Sequence, residues 1–195
     1  MIGFDLTPEQ KALQERARRF SKEVILPVAA KHDRDGTFPV DVMQKAHQEG
    51  FLSPLIPKKY GGGGLGILDT CIISEELAAG CMGIYVSIFV STLALYPIIR
   101  FGTEDQKERF LKPFCSKYTL ASYCLSEVTV GSDPASMKTT AVLDGDHFVL
   151  NGTKMWITNG GYADFYLVFA SIDPEKRHKG IVSLIVPSNL DGVGH

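Results

Sequence analysis

The sequence predicts an α+β protein made of two successive domains, an all-α N-terminal domain and a β-domain. Two observations carry that reading. From Thr7 to Lys112 the apolar residues recur at helical spacing, whereas after Pro113 they fall in short runs bounded by Gly, Asp and Asn. Helices followed by strands, with no alternation between them, argue for segregated layers rather than a parallel α/β fold. The junction lies near residues 115–119, giving expected domains of 1–115 and 116–195.

Each element has a local reason. Thr7-Pro8-Glu9-Gln10 is a capping box with proline in the first turn, and Leu13, Ala17, Phe20 and Val24 continue it as one apolar stripe. Pro39 to Glu49 reads as a second helix, with Val42, Met43 and Ala46 inward and Gly50 at the stop. Asp69 to Ala79 gives a third. The uncharged stretch Met82 to Ile99 gives a fourth, and Thr103-Glu104-Asp105-Gln106 starts a fifth that Pro113 is expected to end. Strands are expected at Leu120–Leu125, Thr139–Leu143, His147–Asn151, Phe165–Ala170 and Ile181–Val186. Asp144-Gly145-Asp146 suits a hairpin turn, and Asn159-Gly160-Gly161 marks a loop that needs positive φ.

Composition excludes several function classes. The 195 residues are 45% apolar and 22% charged, as in a soluble globular chain, and the net charge of −2 leaves no electrostatic footprint for nucleic acid. Cys71, Cys81, Cys115 and Cys124 form no C-x-x-C pair and read as buried free thiols. The five histidines are too dispersed to ligate a metal together. Met82 to Ile99 approaches the length of a membrane span but carries Ser87, Ser91, Thr92 and Pro97 and lacks basic residues flanking its N-terminal side, so a buried core helix is expected and no membrane span. Met1 to Leu6 has neither the basic nor the apolar segment of a leader. That suits a bacterial-type cytoplasm, or the mitochondrial matrix if a transit peptide has been removed.

Two apparent motifs lack the context their chemistry needs. Gly61-Gly62-Gly63-Gly64-Leu65-Gly66 satisfies G-x-G-x-x-G, but Pro54 to Tyr60 before it is no buried strand and only helices follow, so a helix-to-helix connection is the expectation. Glu75 and Glu76 are adjacent on a helix and point about 100° apart. One facing solvent and one in a structural pair is the expectation.

The remaining signals are long and ordered. They are Tyr123-Cys124-Leu125-Ser126-Glu127 through Val130-Gly131-Ser132-Asp133, then Asn151-Gly152-Thr153-Lys154-Met155-Trp156-Ile157-Thr158-Asn159-Gly160. At these residues the sequence closely resembles the acyl-CoA dehydrogenase family. Phe4-Asp5-Leu6-Thr7, Ile56-Pro57, Tyr60-Gly61-Gly62, Ser74-Glu75-Glu76-Leu77-Ala78 and Gly102-Thr103 extend the resemblance over essentially the whole chain.

The resemblance implies a helical domain, then an antiparallel, barrel-like β-domain, then a C-terminal helical bundle that these 195 residues do not contain. The β-domain itself is expected to be incomplete at Asp191 to His195. It implies FAD as cofactor, with Ser126 donating to the flavin pyrimidine edge, Thr158 to N5 and Trp156 against the face away from substrate. Tyr123, Leu125 and Ile157 would supply backbone or packing contacts, with Gly131 in the cofactor loop and Ser132 near both cofactor and CoA. Taken singly, Trp156 could equally be sheet packing, and Ser126 and Thr158 hydroxyls satisfied by a neighbouring strand.

The reaction implied is α,β-dehydrogenation of a short- to medium-chain acyl-CoA, as in fatty acid β-oxidation. The resemblance further implies an electron-transferring flavoprotein as redox partner and a homo-oligomeric full-length form. The family's catalytic glutamate has no counterpart before His195, so no catalytic residue is assigned, and this chain alone is expected to be inactive. Tyr85 and Phe89 either close the floor of the acyl pocket or turn into the helical core. One departure stands out: Val128-Thr129-Val130-Gly131 replaces the family's Pro-Gly-small-Gly, and β-branched residues resist left-handed backbone. A non-catalytic binding or assembly module, and an acyl-CoA oxidase or nitroalkane oxidase type of relative, are the alternative readings.

Overall fold

The helical half of the chain starts where its capping chemistry says it should. In a computed structural model describing residues 5–195, Thr7 Oγ1 accepts from Gln10 N at 3.2 Å and Gln10 Oε1 accepts from Thr7 N at 3.1 Å. Thr103 and Gln106 repeat the same reciprocal box. Phe4 lies outside the described residues. The chain divides into two units, Met1–Tyr118 and Thr119–His195.

The first unit contains α1 (Pro8–Phe20), α2 (Leu26–Asp35), α3 (Val40–Gln48), α4 (Ile67–Gly80), α5 (Met82–Phe101) and α6 (Glu104–Ser116). Helix α1 does not end at Phe20. A π turn over Ser21–Ile25 leads directly into α2, where Leu26 N reaches back to Ser21 O. Pro27 has no N–H to give, and a wider turn just before it tolerates the missing bond. The extra residue also rotates the stripe, so Ile25 is fully buried and Val24 only half-buried. Gly36, at φ 62°, ends α2.

Pro113 does not terminate α6 as the sequence suggests. The helix runs on to Ser116, with Lys117 N bonded to Pro113 O at 3.0 Å. A proline disturbs the turn before it, and its carbonyl remains free to accept from the turn after it. Helix α5 likewise passes through Pro97 and is long and apolar enough to cross a membrane by length and composition alone. It packs against α3, α4 and α6, burying Ile84, Ile88, Ala94, Leu95 and Ile98. These contacts make it a core helix of the first unit.

The second unit is one five-stranded sheet of β1 (Ala121–Cys124), β2 (Thr140–Asp144), β3 (His147–Asn151), β4 (Phe165–Ser171) and β5 (Ile181–Pro187). The strands lie within a residue or so of the runs expected from the sequence. Their pairing corrects one detail. The sheet is mixed, not wholly antiparallel, since β1 and β4 run parallel from Ala121↔Phe165 to Cys124↔Val168, and β2 meets β4 in parallel at Thr140↔Ser171. Parallel neighbours need a long connection, and residues 125–164 between β1 and β4 provide one. Only the direct hairpin β2–β3 and the β4–β5 pair are antiparallel. Gly145, at φ 61°, takes the left-handed place in the two-residue turn of that hairpin.

Candidate functional site: two loops beside the end of β1

The glycine-rich segment spends its donors on itself. Gly63 N donates to Ser53 O at 3.1 Å, Gly64 N to Ile56 O at 2.8 Å and Leu65 N to Pro54 O at 2.9 Å. A Cβ on Gly62 would lie 2.2 Å from Ile56 O, so that glycine is needed for the close approach of two backbone segments. With these N–H groups consumed, the segment has no cradle to offer a phosphate. The paired glutamates are similarly accounted for. Arg18 Nε and Nη2 donate to the two oxygens of Glu76 at 2.9 and 2.7 Å, while Glu75 is exposed. The bond from Arg18 holds the Glu76 carboxyl below its usual range against the cost of burial.

The loops that carry the two long motifs lie side by side in the second unit. Beyond the end of β1, Ser126 O accepts from Met155 N at 2.9 Å, and Leu125 O accepts from Lys154 Nζ at 3.0 Å. Glu127 and Val130 exchange N–H···O bonds of 2.8 and 3.2 Å, closing a tight turn over Val128 and Thr129. None of Val128, Thr129, Val130 and Gly131 takes a positive φ. The expected conflict between β-branched residues and left-handed backbone therefore does not arise, because this turn closes in the right-handed and extended regions. A Cβ at Gly131 would meet nothing within 4 Å.

The loop from Lys154 to Gly161 is fastened along its length. Ser122 Oγ, fully buried on β1, donates to Thr158 O at 2.8 Å. Tyr166 Oη, on β4, donates to Gly160 O at 2.6 Å, and Gly160 N to Ile157 O at 3.0 Å. Ile157 packs against the cluster of Cys124, Ala163, Tyr166 and Val186. The positive φ expected in the Asn159-Gly160-Gly161 loop falls on Asn159, at 63°, and a second one falls on Trp156, at 61°. Asn tolerates that region; a tryptophan there is an outlier that persists only where its surroundings over-determine the backbone.

That strain does not place the indole in a core. Trp156 is 84% exposed, the only tryptophan in the chain, between Met155 tied to Ser126 and Ile157 tied to the sheet. Among the described residues the side-chain hydroxyls of Ser126 and Thr158 make no hydrogen bond within the protein. Ordinary sheet packing for Trp156 and satisfaction of Ser126 and Thr158 by a neighbouring strand, the plainer readings of these residues, are not what the structure has. Tyr123 is half-buried, its ring 4.8 Å from that of Phe169, and burial pushes its phenol up. Ser132 is exposed beside Asp133, whose carboxylate accepts from Arg177 at 3.1 Å. In the first unit, Tyr85 and Phe89 stack one turn apart on α5, ring centroids 5.6 Å from each other, both half-buried.

Two residues that sequence reasoning left without a role hold this arrangement together. Glu127 accepts from Lys138 N at 2.6 Å, Thr139 N at 2.9 Å and Lys154 Nζ at 2.9 Å, with side chains of Glu127 and Lys154 only 5% and 9% exposed. Burial alone would raise the Glu127 carboxyl. The donors around it more than offset that and hold it at about 2. The cysteines also differ from expectation, since Cys124 is buried, with its thiol pushed up to about 12 by burial, but Cys71 is exposed.

Comparison with known proteins finds matches in both units. The family model described as acyl-CoA dehydrogenase, N-terminal domain, matches residues 7–118, and that described as acyl-CoA dehydrogenase, middle domain, matches residues 122–195. The chain belongs to the acyl-CoA dehydrogenase family. It is 39% identical over 195 residues to a probable medium-chain specific acyl-CoA dehydrogenase of Caenorhabditis briggsae, covering 98% of this chain and 48% of that protein. To the mitochondrial isobutyryl-CoA dehydrogenase of Bos taurus it is 43% identical, covering 96% of this chain and 45% of that protein. Among solved structures, butyryl-CoA dehydrogenase of Megasphaera elsdenii superposes with a TM-score of 0.91 at 32% identity, over 98% of this chain and 51% of that one. The chain spans about half the length of the relatives it matches. Members of the family use FAD.

Proposed function

We propose that this chain supplies the flavin-holding loops of an FAD-dependent acyl-CoA dehydrogenase that oxidises short- to medium-chain acyl-CoA thioesters. One observation carries the reading. An exposed tryptophan is held in a strained backbone between two fastened neighbours, and the hydroxyls of Ser126 and Thr158 make no hydrogen bond among the described residues. Fixed strain around an exposed aromatic suits a planar ligand better than it suits stability. The donor set fits an isoalloxazine ring, which offers a flat face to Trp156 and polar edge atoms to Ser126 and Thr158.

FAD, when bound, supplies the N5 atom that accepts a hydride. The chain's own part is to position and polarise. Ser126 would donate to the pyrimidine edge of the ring and Thr158 to N5, stabilising the charge that reduction places there. Trp156 would cover one face of the ring and keep water from it. Tyr123, Leu125 and Ile157 supply packing and backbone contacts, and Gly131 and Ser132 lie on the loop that would meet the cofactor and the CoA moiety. Tyr85 and Phe89 would limit acyl length from α5.

Removal of the substrate α-proton needs a carboxylate. Glu76 is bound to Arg18, and Glu127 to Lys154 and two backbone N–H groups, so both are committed to structure and neither is assigned as the base. An electron-transferring flavoprotein as acceptor, homo-oligomeric assembly, a place in fatty acid oxidation, and a cytoplasmic or matrix location belong to the same proposal. The turn at Val128 and Thr129 removes the conformational objection that favoured a non-catalytic module.

The test is titration of the 195-residue chain with FAD. Quenching of Trp156 emission that saturates at one flavin per chain, and that weakens when Ser126→Ala and Thr158→Val are combined, is the expected result. No quenching, or quenching indifferent to both hydroxyls, overturns the proposal for this chain. In a flavin-loaded preparation in which the catalytic base is also supplied, Tyr85→Ala should shift bleaching by acyl-CoA toward longer acyl groups.

A further inference from the structure

The hydroxyls of Ser126 and Thr158 sit on different loops, separated by more than thirty residues of sequence, and nothing in either loop alone sets their relative placement. Between them the structure has one buried ion pair. Lys154 Nζ bridges Leu125 O, at 3.0 Å, and Glu127 Oε1, at 2.9 Å, so it spans from its own loop to the residues on both sides of Ser126. The Glu127 carboxylate also gathers Lys138 N and Thr139 N, at 2.6 and 2.9 Å, which fixes the entry to β2 on the same anchor. Three chain segments thus converge on one carboxylate, and Met155 N to Ser126 O closes the circuit two residues before Ile157 enters the core.

We propose that Glu127 and Lys154 are positioning residues, a buried clasp that locks the Ser126 and Thr158 loops into a single rigid unit and keeps Trp156 in its strained, outward pose. Neither side chain is available to a ligand, because both are almost wholly buried. The role in cofactor affinity rests on the flavin reading above; the role in rigidity does not. A buried pair of this kind is costly to half-remove, because the remaining charge keeps its desolvation penalty without its partner. Strain at Trp156 persists only while its neighbours are held, so release of the clasp lets the backbone leave the left-handed region. If the loops then hold the competent geometry a tenth of the time, flavin affinity falls about tenfold.

The experiment uses the flavin-free and flavin-titrated 195-residue chain, with Trp156 as the sole indole reporter. Glu127→Gln and Lys154→Met are each expected to lower Trp156 anisotropy without flavin while the far-UV spectrum is retained, and to raise the flavin Kd by about tenfold. Unchanged anisotropy in both folded variants overturns the clasp. If wild type binds no flavin yet the anisotropy falls, the flavin reading fails and the clasp stands. If wild type binds flavin and the variants bind it equally well, the clasp has no part in cofactor binding and that half of the proposal is overturned. Should either variant fail to fold, native-state hydrogen exchange on wild type decides. The amides of Lys138, Thr139 and Met155 are expected to open together with one free energy, and separate opening of Met155 overturns the coupling.

Discussion

Two irregular segments, residues 53–66 and the pair 125–131 with 154–161, look opposite in sequence to what they are in structure. The first has the glycines of a phosphate-binding motif, yet the N–H groups of Gly63, Gly64 and Leu65 are consumed by Ser53, Ile56 and Pro54, and Gly62 serves a close approach of backbone to backbone. The second has Val128, Thr129 and Val130 where the resemblance expects Pro, Gly and a small residue, and puts Trp156 at positive φ, yet among the described residues it leaves the Ser126 and Thr158 hydroxyls without a hydrogen bond and an indole facing solvent. A loop's capacity to bind is therefore set by which of its groups are already spoken for, and glycine content is a poor guide to that.

The comparison breaks most readily at Gly62. Alanine there would put a Cβ 2.2 Å from Ile56 O, and because the obstacle is backbone the cost should be about 3 kcal/mol, read from the shift in the urea midpoint of the chain. If the glycine segment is purely structural, flavin binding by whatever remains folded is unaffected.

Acid offers a test of similar size on the other segment. Glu127 is held at about 2, below the ordinary carboxylate value of 4.5, so its contribution is fully present above about pH 4.5 and is lost as pH falls toward 2. The stabilisation at stake is about 3 kcal/mol. Urea melts of wild type and Glu127→Gln across that window should converge at the acid end, and parallel curves would show that Glu127 carries no linkage.

Smaller, and opposite in sign, is the effect of Trp156→Gly. The indole buries little, and glycine relieves a left-handed backbone, so stability should rise by about 1 kcal/mol while flavin binding is lost. A thermal melt that falls instead would mean that the indole packs in solution. Gly131→Ala sharpens the contrast with Gly62 from the other end. With no positive φ and open space around the added methyl, it should change the melting midpoint by less than about 0.5 kcal/mol equivalent.

Legibility varied with the range of the physics involved. The capping boxes at Thr7 and Thr103 and the strand runs from Leu120 onward depend on near neighbours, and they are found where the residues suggest. Helix α6 running past Pro113 and the π turn before Pro27 were not legible, because each depends on which carbonyl a proline disturbs and what the turn can absorb. The site was legible as motifs. Its organisation was not, since Glu127 and Lys154 are 27 residues apart and carry no pattern that marks them as partners. An acidic and a basic residue inside the two motifs were the available signal.

By itself the sequence determined the order of helices and strands, the change of period after Pro113 and the family to which the chain belongs, because these follow from local spacing and from ordered runs of residue types. Only tertiary structure decided that β1 and β4 run parallel, that the N–H groups of Gly63, Gly64 and Leu65 are spent on the chain's own carbonyls, and that Trp156 is strained and exposed. Each of those depends on hydrogen bonds and buried charge between segments far apart in the chain, whose free energy exists only once folding has brought them together.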